Sequence, residues 1–177
     1  MGCLAFDTSN YTTSVAYYDG VQAVSCAKLL DVAPGQLGLR QSDALFAHVK
    51  RLPELVQALM QKGMDLTITS VAASTRPRAV DGSYMPCFLA GQSQGQAMAS
   101  VLRVPFFAVS HQQGHLAAAL WSAGRMELMQ RPFLAWHLSG GTTELLLVEP
   151  DERALHAVAI GGTKDLSAGQ VIDRTGK

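Results

Sequence analysis

The sequence is poor in cysteine and has no excess of charge of either sign. Its three cysteines are odd in number, widely spaced and placed in or beside apolar runs: Cys3, Cys26 and Cys87. This pattern is typical of reduced core residues in a cytosolic protein and argues against a disulfide scaffold. Lysine plus arginine and aspartate plus glutamate number 14 each. The chain therefore lacks an overall basic field, and contact with a polynucleotide would need a local patch, a partner or further sequence.

Long apolar runs are also absent. No stretch reaches the roughly 18 uninterrupted apolar residues of a membrane span. The N-terminus has no basic segment ahead of a long apolar one, and Asp7 interrupts its first apolar run. The sequence therefore predicts no membrane contact and no signal peptide, and we expect a cytoplasmic protein. Hydrophobic residues still make up 48% of the 177 positions, which is enough to bury a substantial core.

Three short strands are predicted at the start of the chain. Apolar runs and alternation indicate strands at 3–6, 14–18 and 21–29, with a tight turn at Asp19-Gly20. Helices and strands then alternate, with helices at 41–62, 85–102 and 111–124 and strands at 68–73 and 104–109. This order predicts an α/β fold with a mixed five-stranded sheet and helices on its faces. Gly91 and Gly95, four residues apart, would let the second helix lie close to a neighbouring element.

The opening strand pattern is repeated after position 132. Strands are predicted at 133–138, 143–149 and 154–160, and a single short helix follows. We therefore predict a first lobe over 1–124, a linker over 125–132 and the incomplete beginning of a second, similar lobe over 133–177. An incomplete second lobe predicts exposed apolar surface around 133–148, which a homodimer would cover.

Each repeat carries a polar loop between its first two strands. The first loop contains Asp7, Thr8 and Ser9, and the second is Ser139-Gly140-Gly141-Thr142. Facing loops of this kind bind phosphate, because hydroxyl and backbone N–H groups contact the anion and glycine removes an obstructing Cβ. The alternatives are that Asp7 only caps its turn and that the glycine-rich loop is only a tight hairpin turn.

Two histidines stand four residues apart at the start of the predicted third helix. This spacing places His111 and His115 on one helical face, where both imidazoles can reach one metal ion. The alternative is a histidine at the helix N-terminus followed by one that faces solvent. Among the other histidines, His48 is expected to be structural, and no partner is apparent for His137 or His156.

Five motifs occur in the order found in one known family. They are Asp7-Thr8-Ser9 with Thr13-Ser14, Ala47-His48-Val49 with Leu52-Pro53, His111-x-x-Gly114-His115, Ser139-Gly140-Gly141-x-Thr143-Glu144-Leu145, and Thr163-x-Asp165-x-x-x-Gly169-x-x-x-Asp173. On these motifs the chain resembles the N-terminal half of the tRNA threonylcarbamoyladenosine-synthesis family, formerly named O-sialoglycoprotein endopeptidase or M22 glycoprotease. That resemblance implies an actin/Hsp70-like (ASKHA) fold with ribonuclease H-like lobes.

The resemblance also implies an enzyme activity. Such a protein binds threonylcarbamoyl-adenylate and transfers the threonylcarbamoyl group to an adenosine of tRNA. Its two histidines, here His111 and His115, hold a divalent metal, zinc or iron, together with a carboxylate that lies beyond Lys177. Catalytic candidates are then Asp7 and Ser139. The candidates for contact with an adenylate or ATP-like nucleotide are Thr8, Ser9, Ser139, Gly140, Gly141, Thr142, Asp165, Gly169 and Asp173.

Several positions depart from the family pattern and leave three functions open. Gln113, Thr142, Leu166 and Gln170 stand where the family usually has Glu, His, an acid and Glu, and Tyr11 and Thr12 replace acidic residues. We therefore expect a divergent paralogue. The first reading is the transferase, whose tRNA contact would come through a complex. The second is a metallopeptidase, although the His-Glu-x-x-His arrangement is missing. The third is a non-catalytic partner that dimerises through the first lobe.

Overall fold

Strand alternation at the start of the chain produces a three-stranded antiparallel unit. The structure is a computed structural model and describes residues 2–32, 39–62, 67–151 and 154–176. Strand β1 is Cys3–Asp7, β2 is Thr12–Tyr18 and β3 is Ala23–Leu29. Buried and partly exposed residues alternate along β1 and β2, as expected for strands with one face on a core.

Two further strands complete a mixed sheet. Strand β4 (Ser70–Arg76) lies parallel to β1, and β5 (Phe106–Ser110) lies parallel to β4. The strand order is β3-β2-β1-β4-β5. The predicted mixed five-stranded sheet is therefore confirmed.

Helices α1 (Gln41–Met60) and α2 (Phe88–Leu102) each bury one apolar face against this sheet, with Leu52 and Leu59 of α1 and Ala90 and Ala99 of α2 in the core. The glycines of α2 permit the close approach expected from the sequence. A Cβ at Gly95 would lie 2.9 Å from Phe106 Cε2, and one at Gly91 would lie 3.2 Å from Thr8 Oγ1. Any larger side chain at Gly95 would require the Phe106 ring or α2 to shift.

A second, smaller unit follows. Helix α3 is His111–Ser122, a 3₁₀ helix spans Met126–Gln130, and the strands are β6 (Phe133–Leu138), β7 (Thr143–Asp151) and β8 (Ala154–Gly162). The three strands form an antiparallel sheet in the order β6-β7-β8, and α4 (Ala168–Thr175) is the last element among the described residues. The buried core of this unit contains Leu116, Leu120, Leu146, Val148 and Leu155.

The chain divides into compact units at 1–112 and 113–177. The division falls inside α3, whereas the sequence places the whole helix in the first lobe. The predicted linker 125–132 contains the 3₁₀ helix, whose Leu128 and Met129 pack against the second core. The lobe and linker boundaries themselves stay predictions. Among the described residues, none of the helices combines the length and the apolar character that crossing a membrane requires.

Candidate functional site

Three parallel strands end at one edge of the five-stranded sheet and bring polar side chains together there. Asp7 ends β1, Ser74 lies near the end of β4, and His111 directly follows β5. Carboxyl ends of parallel strands are the usual location of ligand sites in α/β sheets. A register shift between Ser74 and Arg76 accompanies this edge, and bulges of this kind re-aim side chains beside active sites.

Asp7 and His111 form the central contact of this edge. His111 Nδ1 lies 2.8 Å from Asp7 Oδ2. Because a carboxylate only accepts hydrogen bonds, Nδ1 carries the proton in this contact. In a neutral His111 the lone pair is then on Nε2, the nitrogen that is able to bind a metal. Ser9 Oγ lies 3.5 Å from that nitrogen.

Hydrogen bonding keeps Asp7 ionised. Burial alone would raise the pKa of Asp7, but hydrogen bonds from His111, Ser74 and Ser9 outweigh it and lower the pKa to about 2. The Ser9 hydroxyl donates to Asp7 Oδ1 over 2.5 Å and the Ser9 N–H over 2.9 Å. The carboxylate is therefore a fixed acceptor that holds both the first loop and His111. Ser74 is a site residue that local sequence patterns did not identify.

Thr8 packs the first loop against α2. Its side chain is fully buried, and its hydroxyl donates to the Cys87 carbonyl over 2.8 Å. The same oxygen accepts the Gly91 N–H over 3.2 Å. The hydroxyl of Thr8 thus ties the loop to α2, and contact of this side chain with nucleotide stays a prediction.

His48 also stabilises the first loop, through contacts with Asn10 and Thr13. Its Nε2 donates to the Asn10 carbonyl over 3.1 Å, and its Nδ1 lies 2.8 Å from Thr13 Oγ1. Burial lowers the pKa of His48, so the imidazole is neutral in the folded protein near pH 7. Asn10 has a φ of 49°, a left-handed conformation that asparagine tolerates better than most residues. These contacts give His48 the structural role expected of it.

The second predicted loop joins β6 to β7. Ser139 Oγ accepts the N–H groups of Gly141 and Thr142 at 3.3 and 2.9 Å. The Ser139 N–H in turn donates to the Thr142 carbonyl over 2.8 Å. Ser139 therefore closes the turn, and a bound anion would have to replace its hydroxyl at those two N–H groups.

Helix α4 begins against this turn. Its N-cap Ser167 donates to the Gly140 carbonyl over 2.6 Å, and Gln170 completes a capping box with Ser167. A Cβ at Gly169 would lie 2.6 Å from Gly140 Cα, so only glycine fits there. At Gly140 and Gly141, by contrast, a Cβ would meet no atom within 4 Å among the described residues. The fold of the second unit does not require glycine at these two positions. The open space beside them leaves room for a ligand at the turn.

Asp165, Asp173 and His115 are the remaining predicted residues. Asp165 and Asp173 are exposed, one before α4 and one within it. Helix α3 runs unbroken from His111 through His115, which confirms their spacing on one helix. No three His, Cys, Asp or Glu side chains of the described residues form a metal-binding group. His111 belongs to the first unit and His115 to the second, and a metal ion shared by the two histidines stays a prediction.

The five-stranded mixed sheet with its packed helices agrees with the actin/Hsp70-like fold expected from the sequence. A solved structure with this fold is YeaZ from Pseudomonas aeruginosa, which matches 94% of this chain and 67% of its own length at a TM-score of 0.55 and 16% sequence identity. At that identity the similarity concerns the fold alone.

Sequence comparison defines the family. Residues 34–177 match the TsaD family model, described as tRNA N6-adenosine threonylcarbamoyltransferase. Proteins of that name from Syntrophobacter fumaroxidans and Rhizobium etli are 35% and 30% identical over 131 and 187 residues. The alignments cover 73% and 100% of this chain but 36% and 48% of the relatives. The chain thus belongs to the TsaD family and spans about half the length of the curated relatives it matches or less.

Proposed function

We propose that this chain contributes to transfer of a threonylcarbamoyl group from threonylcarbamoyl-adenylate to a tRNA adenosine. The Asp7–His111 contact carries the proposal. It fixes an imidazole tautomer at the carboxyl ends of β1, β4 and β5, in a chain of the TsaD family. A carboxylate behind a histidine is the usual second partner of metal-ligating imidazoles.

This chain supplies two of the side chains that would bind a divalent metal ion. His111 and His115 would hold the ion, zinc or iron, and Asp7 would orient His111. Imidazole nitrogens suit both metals. When bound, such an ion supplies Lewis acidity to a carbonyl oxygen. Asp7 acts on this site through His111, which makes it a positioning residue.

The turn Ser139–Thr142 would bind the phosphate of the adenylate. Support comes from the open space at Gly140 and Gly141 and from the N-terminus of α4, which lies against the turn. Helix N-termini and turn N–H groups favour anions. Thr8, Ser9, Asp165, Gly169 and Asp173 stay candidate contributors to the nucleotide side, and tRNA would reach the site through a complex.

A non-catalytic partner subunit is the second candidate, and one contact favours it. Gln113 Nε2 donates to the Leu155 carbonyl over 2.8 Å. An ionised glutamate, usual in the family at this position, has no proton to donate. Gln113 therefore has a packing role that an acidic side chain would lose. Such a subunit would pair with a protein partner or a second copy through the first lobe.

Metal content and adenylate binding test the proposal. The chain is purified beside a His111→Ala, His115→Ala double variant and a His156→Ala control, which changes an exposed histidine on β8. Metal is measured by mass spectrometry and binding of a non-hydrolysable adenylate analogue by calorimetry. We expect one zinc or iron per chain in wild type and control, none in the double variant, and adenylate binding in all three.

The alternatives give different results. A chain that binds adenylate and supports no transfer to tRNA, even with metal bound, fits the partner subunit. Absence of both metal and adenylate from the wild-type chain would contradict the transferase proposal outright.

A further inference from the structure

The loop between β4 and α2 lies beside His111. It begins directly after Arg76, the last residue of β4. Arg76 is opposite Ser110 in the register of β4 and β5, and the Gln112 N–H donates to the Pro77 carbonyl over 3.0 Å. Ser110 and Gln112 are the two chain neighbours of His111. The start of this loop is therefore joined to the backbone on both sides of His111, within the first unit.

Local contacts restrain the backbone of this loop. Proline limits its own φ and the conformation of the residue before it, so the segment around Pro77 has few alternatives. The Arg78 N–H donates to Ser83 Oγ over 3.0 Å, and the Ser83 N–H donates to the Val80 carbonyl over 3.2 Å. Gly82 stands at the third position of that turn with a φ of 73°, as a type II turn requires. These contacts hold the two sides of the loop together.

A cation and an aromatic ring are exposed on the two sides of the closed loop. Tyr84 is 61% exposed. Arg76 is also exposed, and no ion pair between described residues involves it. Because the contact between Arg78 and Ser83 joins the two sides, the Cα atoms of Arg76 and Tyr84 are at most about 18 Å apart. A few nucleotides of one strand are long enough to contact both residues.

The loop also carries one acid. Arg76, Arg78 and Asp81 together give it two positive charges and one negative charge. Asp81 is exposed, whereas Arg78 is partly buried. A phosphate beside Arg76 would be attracted by the arginines and repelled by Asp81. The two exposed charges therefore predict opposite effects when each is neutralised.

Single-stranded RNA has the chemistry that fits this loop. Proteins that bind unpaired RNA stack its bases on aromatic side chains and contact its phosphates with arginine. A paired duplex keeps its bases stacked on each other and offers a tyrosine no free face. The proposed acceptor is an adenosine of tRNA, and the loop is joined to the strand edge that holds Asp7 and His111. It is placed to bind nucleotides that flank such an adenosine.

We propose that Arg76 and Tyr84 bind single-stranded RNA beside the Asp7–His111 contact, with Arg76 on a phosphate and Tyr84 stacked on a base. The inference rests on the proposed function for the presence of an RNA substrate. It adds the surface through which this chain contacts that RNA. It also defines the RNA element, an unpaired loop that contains adenosine.

Fluorescence anisotropy with the 177-residue chain measures the binding. One probe is a labelled RNA stem-loop with adenosine in its unpaired loop, and the other is a fully paired duplex with the same stem. We expect the stem-loop to bind more tightly than the duplex. Tyr84→Leu removes the ring and keeps an apolar side chain, and we expect it to weaken stem-loop binding at least about fivefold.

Arg76→Gln and Asp81→Asn test the phosphate contact over a series of salt concentrations. We expect Arg76→Gln to weaken binding and to reduce the slope of log affinity against log salt by about 0.7, the value for one phosphate of a single strand. Asp81→Asn removes the exposed negative charge and should strengthen binding at low salt. Thermal unfolding of each variant checks that it is folded.

Arg103→Gln and Tyr18→Leu are the matched controls. Arg103 is exposed between α2 and β5, before the amino end of β5. Tyr18 is opposite Cys3 at the amino end of β1. Both residues are at the end of the five-stranded sheet away from His111, so their substitution should leave RNA binding unchanged.

The outcomes separate this inference from the proposed function. Stem-loop binding that Arg76→Gln and Tyr84→Leu leave unchanged overturns the inference, and so does equal affinity for stem-loop and duplex. A wild-type chain that binds metal and adenylate but no RNA also overturns it, while the adenylate site is upheld. Binding weakened in these two variants, in a chain without metal or adenylate, supports the inference and contradicts the transferase proposal.

A protein partner is the other occupant that exposed arginine and tyrosine would suit. Sedimentation of the same variants tests this alternative. A change in self-association in Arg76→Gln or Tyr84→Leu, with unchanged affinity for the stem-loop, assigns the surface to protein contact and overturns the inference.

Discussion

Asp7 organises the first unit's site through several contacts with one carboxylate. One oxygen accepts from Ser9 and the other from His111. Asp7→Asn replaces an ionised acceptor by an amide, one end of which is a donor. We expect His111 to lose its fixed tautomer and zinc affinity to fall about 10–100-fold. Imidazole ¹⁵N spectra and a zinc titration measure the two effects.

The control for this prediction is Asp19→Asn. Asp19 Oδ1 accepts the backbone N–H groups of Val21 and Gln22 in an exposed turn, a role that asparagine also performs. Its substitution should leave both measurements unchanged. Equal zinc affinity in Asp7→Asn and wild type would show that Asp7 does not act on the metal site.

Because of His48, we expect the stability of the folded chain to depend on pH. Its pKa is lowered by burial in the folded chain, so the unfolded chain binds the proton more readily. Stability is therefore fully present above the usual histidine pKa of about 6.5 and falls as the pH drops through the lower folded-state pKa. We expect His48→Gln to lower stability at pH 7 by about 1–3 kcal/mol.

Urea unfolding of both proteins between pH 7.5 and 5 measures this effect. The difference in stability between wild type and His48→Gln should shrink as the pH falls, because only the wild type loses the contribution of the neutral imidazole. A constant difference across this range would mean that His48 keeps its charge state on unfolding.

At the scale of elements, the packing of α4 against the β6–β7 turn depends on Gly169. A Cβ at Gly169 would lie 2.6–3.0 Å from backbone atoms of Ser139 and Gly140, and backbone cannot move aside as a flexible side chain does. We expect Gly169→Ala to displace α4 and to destabilise the second unit by about 1–3 kcal/mol. Hydrogen exchange across residues 139–142 and 167–176 measures the displacement.

Gly141→Ala is the matched variant on the same turn. Its Cβ would meet no described atom within 4 Å, so hydrogen exchange and stability should match wild type. Its methyl group would occupy the space proposed for the ligand, and we expect adenylate affinity to fall several-fold. Unchanged affinity in Gly141→Ala would exclude this turn from the nucleotide site.

At the scale of the whole molecule, the second sheet has an apolar outer face. Leu134, Trp136 and Leu138 are 58–63% exposed, which confirms the apolar surface expected around 133–148. Exposed apolar patches favour association. We expect sedimentation to show concentration-dependent dimers that are weakened in a Leu134→Thr, Trp136→Thr variant.

Val101→Thr is the control for this prediction, because Val101 is 82% exposed on α2, in the first unit. It should leave association through the second sheet unchanged. A wild-type chain that sediments as a monomer at high concentration would contradict the prediction.

The local pattern of apolar residues was sufficient to predict the helices and strands, but it predicted their ends less exactly. The sequence places the start of the second helix at Met85, whereas α2 begins at Phe88. The Phe88 N–H bonds to the Met85 carbonyl in a turn that precedes the helix. Helix ends depend on such capping contacts, which apolar spacing does not describe.

The sequence by itself determined the succession of strands and helices along the chain, the repeated three-stranded pattern, the helical spacing of His111 and His115 and the close packing permitted by Gly91 and Gly95. These features follow from which face of each element is apolar and from short-range spacing. Only the tertiary structure decided that Asp7 meets His111, that Thr8 is bonded to α2, and that Ser83 closes the loop between β4 and α2. Partners of polar groups depend on strand register and loop closure, which bring together residues as much as 104 positions apart.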